Sequence, residues 1–199
     1  RDVGAVVALN TLGAIFGVAL TGLVLIPAIG LVHTLGVLAL TACAVGCIAA
    51  WFGAGVSVVM RRTIQCIGLF TVVCAVVTPP QKLAELLPGA RNGEIPFYQE
   101  GRGNTVAVVS QGRDERKFNR LYVQGVSNTG DAMPSLRYMR MQALLPLLIH
   151  NKQPTSALVI GFGTGITAGA MLRYDGLTKP VVAELLPAVL EAAPLFKGN

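Results

Sequence analysis

Residues Ser156-Ala157-Leu158-Val159-Ile160-Gly161-Phe162-Gly163-Thr164-Gly165, read together with Glu184, decide the reading of this chain. An apolar, strand-like run from Ala157 to Ile160 meets three glycines at alternate positions. A second apolar run, Val181–Ala183, closes on the carboxylate of Glu184. Glycines let main chain approach a ligand closely, and the helix expected next, Thr167 to Arg173, opens with unpaired N–H groups. A carboxylate about 20 residues after such a loop can accept both hydroxyls of a ribose. The layout therefore points to a nucleoside-type ligand. Counted from Gly163, the residues through Ala168 fit the G-x-G-x-x-A form of the dinucleotide fingerprint. Counted from Gly161, the first glycine directly follows the strand and gives G-x-G-x-G, the arrangement of S-adenosylmethionine-type sites. The strand register favours the second count.

What precedes this unit is of another kind. The 199 residues are 53% hydrophobic and 13% charged, with a mean hydropathy of +0.61, but the charge is segregated. Between Val3 and Met60 there is no Asp, Glu, Lys or Arg. That run is too long for one soluble helix and suits two membrane spans of about 20 residues each. The first span is expected over Val3 to Ile26, with a turn at Pro27 and Gly30. The second is expected from Leu31 to Met60, broken near Gly53-Ala54-Gly55 and ended by Arg61-Arg62. A third apolar run, Thr63 to Thr78, is short for spanning. Gly13 and Gly17 form a small-xxx-small pair suited to close helix packing, and Asn10 and Thr11 suit a hydrogen bond between helices.

The net charge of +6 is spread over Arg61, Arg62, Arg113, Arg116, Lys117, Arg120, Arg137 and Arg140. No aromatic-interleaved basic stripe accompanies it, which argues against nucleic acid and for anionic lipid headgroups as partners. Cys43, Cys47, Cys66 and Cys74 all lie in apolar runs and are expected to act as small apolar side chains, with no disulfide or metal role.

From Lys82 on, charge returns to soluble density. Residues 81–96 read as a linker after the membrane region, 1–80. Over 97–150 a hairpin is expected, Thr105–Ser110 and Lys117–Val123 flanking the turn Gln111-Gly112-Arg113-Asp114. Asn128-Thr129-Gly130 is expected to break the pattern. A helix follows, with Ser135 as N-cap, an apolar face of Leu136, Met139, Ala143, Leu144, Leu147 and Leu148, and a late kink at Pro146. His150 suits the C-terminus of that helix, and His33 a membrane interface. Residues 151–199 begin an α/β unit.

The chain resembles bacterial membrane proteins in which transporter-like helices are fused to a spermidine synthase-like domain. Asn10-Thr11-Leu12-Gly13-Ala14 and Gly22 through Pro27 are similar to their membrane region. Phe97-Tyr98-Gln99-Glu100-Gly101 with Thr105 through Val108 is similar to the start of their small β-domain. Arg140-Met141-Gln142 with Leu145-Pro146-Leu147 resembles the connecting helix, and Val159 through Ala170, then Glu184 and Pro187-Ala188-Val189, complete the likeness. The resemblance implies a Rossmann-like methyltransferase fold. It implies aminopropyl transfer from decarboxylated S-adenosylmethionine to an amine, with methyl transfer from S-adenosylmethionine as a variant. It also implies a place in the bacterial inner membrane and a homodimer through the β-domains. Arg1, Arg61 and Arg62 on one side against Lys82 and Arg91 on the other lean slightly against a cytoplasmic soluble part, but a nucleoside cofactor made in the cytoplasm argues for one.

On this resemblance Gly161, Gly163, Thr164, Gly165, Glu184 and Gln99 hold the nucleoside, with Glu184 on the ribose. Asp131 and Gln142 are candidate substrate contacts, although Asp131 also suits a turn and Gln142 a solvated face. The departures fall on the amine side. Thr164 stands where the family has Asp, and Gln124-Gly125-Val126-Ser127-Asn128 replaces D-G-x-x-Q. Met133, Arg137, Tyr138 and Arg140 replace acidic and Tyr-His contacts. The family's catalytic Asp is expected beyond Asn199, so the chain reads as a fragment that is inactive by itself. A transporter or sensor with a non-catalytic nucleoside domain, and a nicotinamide-dependent oxidoreductase, are the competing functions.

Overall fold

The computed structural model describes residues 2–53, 55–101, 104–112 and 117–197. The chain divides into two units, one of Arg1–Leu83 with Glu100–Gly103, the other of Ala84–Gln99 with Asn104–Asn199.

The first unit is helical because its sequence offers little except apolar side chains over three long stretches. Helix α1 (Asp2–Leu20) runs through a π-helical turn, Thr21–Leu25, into α2 (Ile26–Phe52). Gly30 interrupts this 50-residue run at φ +78° and ψ 168°, a conformation essentially restricted to glycine. The expected turn at Pro27 and Gly30 is thus a kink at Gly30. Pro27 is the second residue of α2, which follows directly on the π-helical turn.

The second helix ends at Phe52, at the break expected near Gly53, and Val58 to Met60 belong to the next helix. Helix α3 (Val58–Val77) begins earlier than the apolar run, capped by the Ser57 hydroxyl, which accepts from the Met60 N–H at 3.2 Å. Arg61 therefore lies in the opening turns of α3. Its guanidinium donates to the Trp51 carbonyl at 3.4 Å, satisfying the C-terminal end of α2. That local charge complementarity is what the hydropathy count misses. The third helix has 20 residues, about 30 Å. Val3–Phe52 and Val58–Val77 are long and apolar enough to cross a membrane by length and composition.

Helices α2 and α3 pack through small residues. A Cβ at Gly36 would lie 3.3 Å from the Ala75 Cβ, and one at Gly68 would lie 3.8 Å from the sulfurs of both Cys43 and Cys47. The four cysteines are free thiols. Thr11 bonds back to the Val7 carbonyl at 3.0 Å, within its own helix. Among the described residues, nothing outside their own helix's backbone lies within 4 Å of the Cβ positions of Gly13 and Gly17.

The second unit opens with 3₁₀ turns and then a four-stranded sheet in the order β1-β2-β3-β4. Its strands are β1 (Glu94–Gly101), β2 (Asn104–Gln111), β3 (Phe118–Val123) and β4 (Val126–Gly130). Strands β2/β3 and β3/β4 pair antiparallel. The expected hairpin is therefore half of a larger sheet, and Asn128-Thr129-Gly130 continues it as β4. Gln124 and Gly125 both have positive φ, 52° and 76°, between the paired residues Val123 and Val126. That is a two-residue type I′ hairpin turn. From Arg113 on, the turn expected between β2 and β3 lies outside the described residues.

Helix α4 (Met133–Ile149) is capped by Ala132 in place of Ser135, with Pro134 in its first turn, and runs on through Pro146 to His150 as C-cap. Then β5 (Ser156–Ile160) pairs parallel with β6 (Lys179–Ala183) across α5 (Ile166–Met171), which is shorter than the sequence suggests. Helix α6 (Pro187–Ala192) follows. One face of the antiparallel sheet, Val106, Val108 and Leu121, buries Val189, Ala192 and Phe196 of the α6 region. Ala143 and Leu147 of α4 bury Ala170 and Met171 of α5 against Ala157 and Val159 of β5. These two cores fix the glycine loop between β5 and α5.

Candidate nucleoside site

Alternation along β5 turns Ala157 and Val159 into the core and leaves Leu158 and Ile160 exposed. The chain then needs a sharp reversal, and the glycines supply it. Gly161, Gly163 and Gly165 have φ of +87°, +57° and +81°. A Cβ at Gly161 would meet nothing within 4 Å, so its backbone conformation, and not crowding, demands glycine there. The Gly161 N–H donates to the Ala183 carbonyl at 2.7 Å, extending the β5–β6 ladder into the loop.

Glu184 lies one residue past that carbonyl and grips the loop. One carboxylate oxygen accepts from the Phe162 N–H at 2.6 Å, the other from the Leu186 N–H at 2.9 Å. Partial burial opposes ionisation, but the N–H groups of Leu186, Phe162, Gly163 and Leu185 outweigh it and hold the carboxyl below its ordinary range. A carboxylate has about four acceptor positions. Of those four N–H groups only the ones of Phe162 and Leu186 reach hydrogen-bond geometry among the described residues, one on each oxygen, so each oxygen keeps capacity for a hydroxyl donor.

Beside the loop is a cleft of about 340 Å³, walled by Met139 and Gln142 of α4, Leu158 to Ile160 of β5, Gly161 to Thr164, and Ile166 and Thr167. Gly161, Gly163, Thr164 and Gln142 thus come together. Thr164 contributes less than the sequence suggests. It is 1% exposed, and its hydroxyl is 3.3 Å from that of Thr129 on β4. Thr129 in turn donates to the Met139 sulfur at 2.8 Å. The Thr164 hydroxyl thus ties the loop to β4 and α4.

Gly165 caps α5 and lies outside the cleft wall. Gln99 is on β1, on the strand face shared with Phe97, which packs on the same core as Phe162 and Leu186. Among the described residues its buried side-chain oxygen has no hydrogen-bond partner, an acceptor that awaits a donor. Asp131 is committed elsewhere: its carboxylate accepts from the Asn119 N–H at 2.6 Å, closing β3 onto β4. Met139 and Thr129 went unremarked as site residues in the sequence. Met139 reads there as core periodicity and Thr129 as a strand break, so neither carried a signal.

No family model matches the chain, and none of the curated proteins does. Solved structures align with it, two spermidine synthases among them. One is a spermidine synthase in complex with the transition-state analogue AdoDATO, the other the spermidine synthase from Thermotoga maritima. Each is 22% identical, with a TM-score of 0.44 over 51% of this chain. The chain spans about a third of their lengths, 33% and 34%. The site's own geometry, and not this partial likeness, carries the functional reading.

Proposed function

We propose that the α/β unit binds the adenosine part of an S-adenosyl donor and belongs to a group-transfer enzyme held at a membrane by its N-terminal helices. The observation that carries the reading is Glu184. Its carboxylate stands at the end of β6, ionised and oriented by the N–H groups of Phe162 and Leu186, with an acceptor position left on each oxygen. Two hydroxyls on adjacent ribose carbons match that pair of acceptors. The buried, unpartnered oxygen of Gln99 supports the reading as a further polar contact.

The chain's own residues position the ligand: the loop brings main chain close, and Glu184 fixes the sugar. Orientation of this kind is the main contribution a transferase makes before any acid–base step. Aminopropyl transfer is the activity that the sequence resemblance implies, with methyl transfer as the variant. The length and composition of Val3–Phe52 and Val58–Val77 support a membrane anchor. The cytoplasmic origin of nucleoside donors supports a cytoplasmic α/β unit.

The test is calorimetric titration of the detergent-solubilised protein with methylthioadenosine, S-adenosylmethionine and NADH, repeated on Glu184→Gln. Binding of the sulfur nucleosides, weakened at least about tenfold by the substitution, is the expected result. Binding of NADH alone would replace this reading with the oxidoreductase, and binding of none would leave the loop a purely structural turn.

A further inference from the structure

Helix α4 is apolar on two opposite faces, and the fold uses only one of them. Ala143 and Leu147 are buried against α5 and β5. Tyr138, Met141, Leu145, Leu148 and Ile149 recur at the spacing of a second helical stripe and stay exposed, Leu148 and Ile149 at 68% and 70%. Large apolar side chains gathered in one exposed stripe mark a contact site. The charge around the stripe has one sign. From Ala132 to Tyr174 the chain carries Arg137, Arg140, Lys152 and Arg173 and no Asp or Glu. Arg137 is exposed four residues before Met141, beside the N-terminal end of the stripe, and Lys152 is exposed just past its C-terminal end.

An apolar stripe with a cationic border selects its partner. A second copy docking by this face would bring cation against cation. Anionic phospholipid takes both parts of the surface at once: its headgroups meet the cations and its acyl region the apolar side chains, as for a helix lying in a bilayer interface. We infer that α4 is a second membrane contact, its Tyr138-to-Ile149 stripe lying on an anionic bilayer surface. This is independent of the nucleoside reading. It rests on the membrane anchor proposed above, which gives α4 a bilayer at high effective concentration.

The chain has one tryptophan, Trp51 near the end of α2, so fluorescence can read anchor and α4 separately. The full chain is reconstituted into vesicles of equal parts dioleoyl-phosphatidylglycerol and a phosphatidylcholine brominated high on its acyl chains. Bromine quenches a tryptophan only on contact. Quenching of Trp51 in the wild type reads the anchor, and quenching of Leu148→Trp on a Trp51→Phe background reads α4. Both are expected. Replacing the phosphatidylglycerol by dioleoyl-phosphatidylcholine is expected to relieve the second alone, and Arg137→Gln to lower the ratio of quenched to unquenched reporter about fivefold. Leu145→Trp serves as the reporter should Leu148→Trp not fold. Quenching of Trp51 but not of the α4 reporter overturns the inference and leaves the anchor standing; a blue shift of that unquenched reporter would give the face to a protein instead. Equal quenching with and without anionic lipid overturns the charge argument and the inference with it. No quenching at either site overturns the anchor and this inference together.

Discussion

Glu184 does two jobs that pull on the same atoms, and acid separates them. As a structural staple it joins the loop to the turn after β6. As a ligand group it offers its remaining lone pairs. Because its folded-state carboxyl titrates below the ordinary value of 4.5, its contribution to stability is fully present above that value. It is lost as pH falls through the lower folded-state value. Wild-type melting temperature should therefore drop more steeply below about pH 4.5 than that of Glu184→Gln. Parallel acid profiles for the two proteins would mean that the staple adds nothing to stability. Glu94 shows the contrast at the surface. Its exposed carboxyl is lowered by the Lys117 hydrogen bond at 2.8 Å and then by that lysine's charge, and solvent screening leaves it little influence on folding.

Turns decide the elements of the second unit. Gly163 at φ +57° sits with its absent Cβ 3.4 Å from the Thr129 methyl. Gly163→Ala should cost about 1–2 kcal/mol, read as a lower melting temperature. A neutral outcome would show that the loop has room to relax. At the β3–β4 turn, Gln124 bears a positive φ that Asn tolerates better. Gln124→Asn should raise the melting temperature and Gly125→Ala should lower it, and the same sign for both would contradict the type I′ assignment. Much of this was legible in sequence. The strand before the glycines, β2, β3 and the packing of Ala143 and Leu147 on α4 follow from periodicity, whereas Leu148, expected on the same face, is exposed. What was hidden depended on partners distant in sequence. Val126-Ser127-Asn128-Thr129-Gly130 has poor strand composition and is a strand because β3 pairs with it. Arg61 looks like a membrane stop by charge, yet it belongs to α3 because the end of α2 needs a cation. The inward turn of Thr164 follows from a hydroxyl on β4, 35 residues away.

At the scale of the molecule, the chain joins an apolar helical unit to an α/β unit with a glycine loop. The first unit exposes large apolar side chains, among them Val3, Leu9 and Phe16 of α1 and Phe70 and Val76 of α3. Apolar surface of that extent marks a site of contact with a protein or a membrane. The account predicts that alkaline carbonate leaves the protein in the membrane pellet and that detergent releases it; release by carbonate would remove the anchor from the proposal. Segregation of charge made that division readable at once, whereas the tie between the loop and β4 needed coordinates. The central claim, that Glu184 holds a ribose, is tested most directly by comparing methylthioadenosine with its 2′-deoxy analogue by calorimetry. Two hydrogen bonds to a carboxylate become one, so the deoxy compound should bind about 10- to 100-fold more weakly to the wild type. The gap should shrink in Glu184→Gln. Equal affinity of the wild type for both compounds would contradict the account.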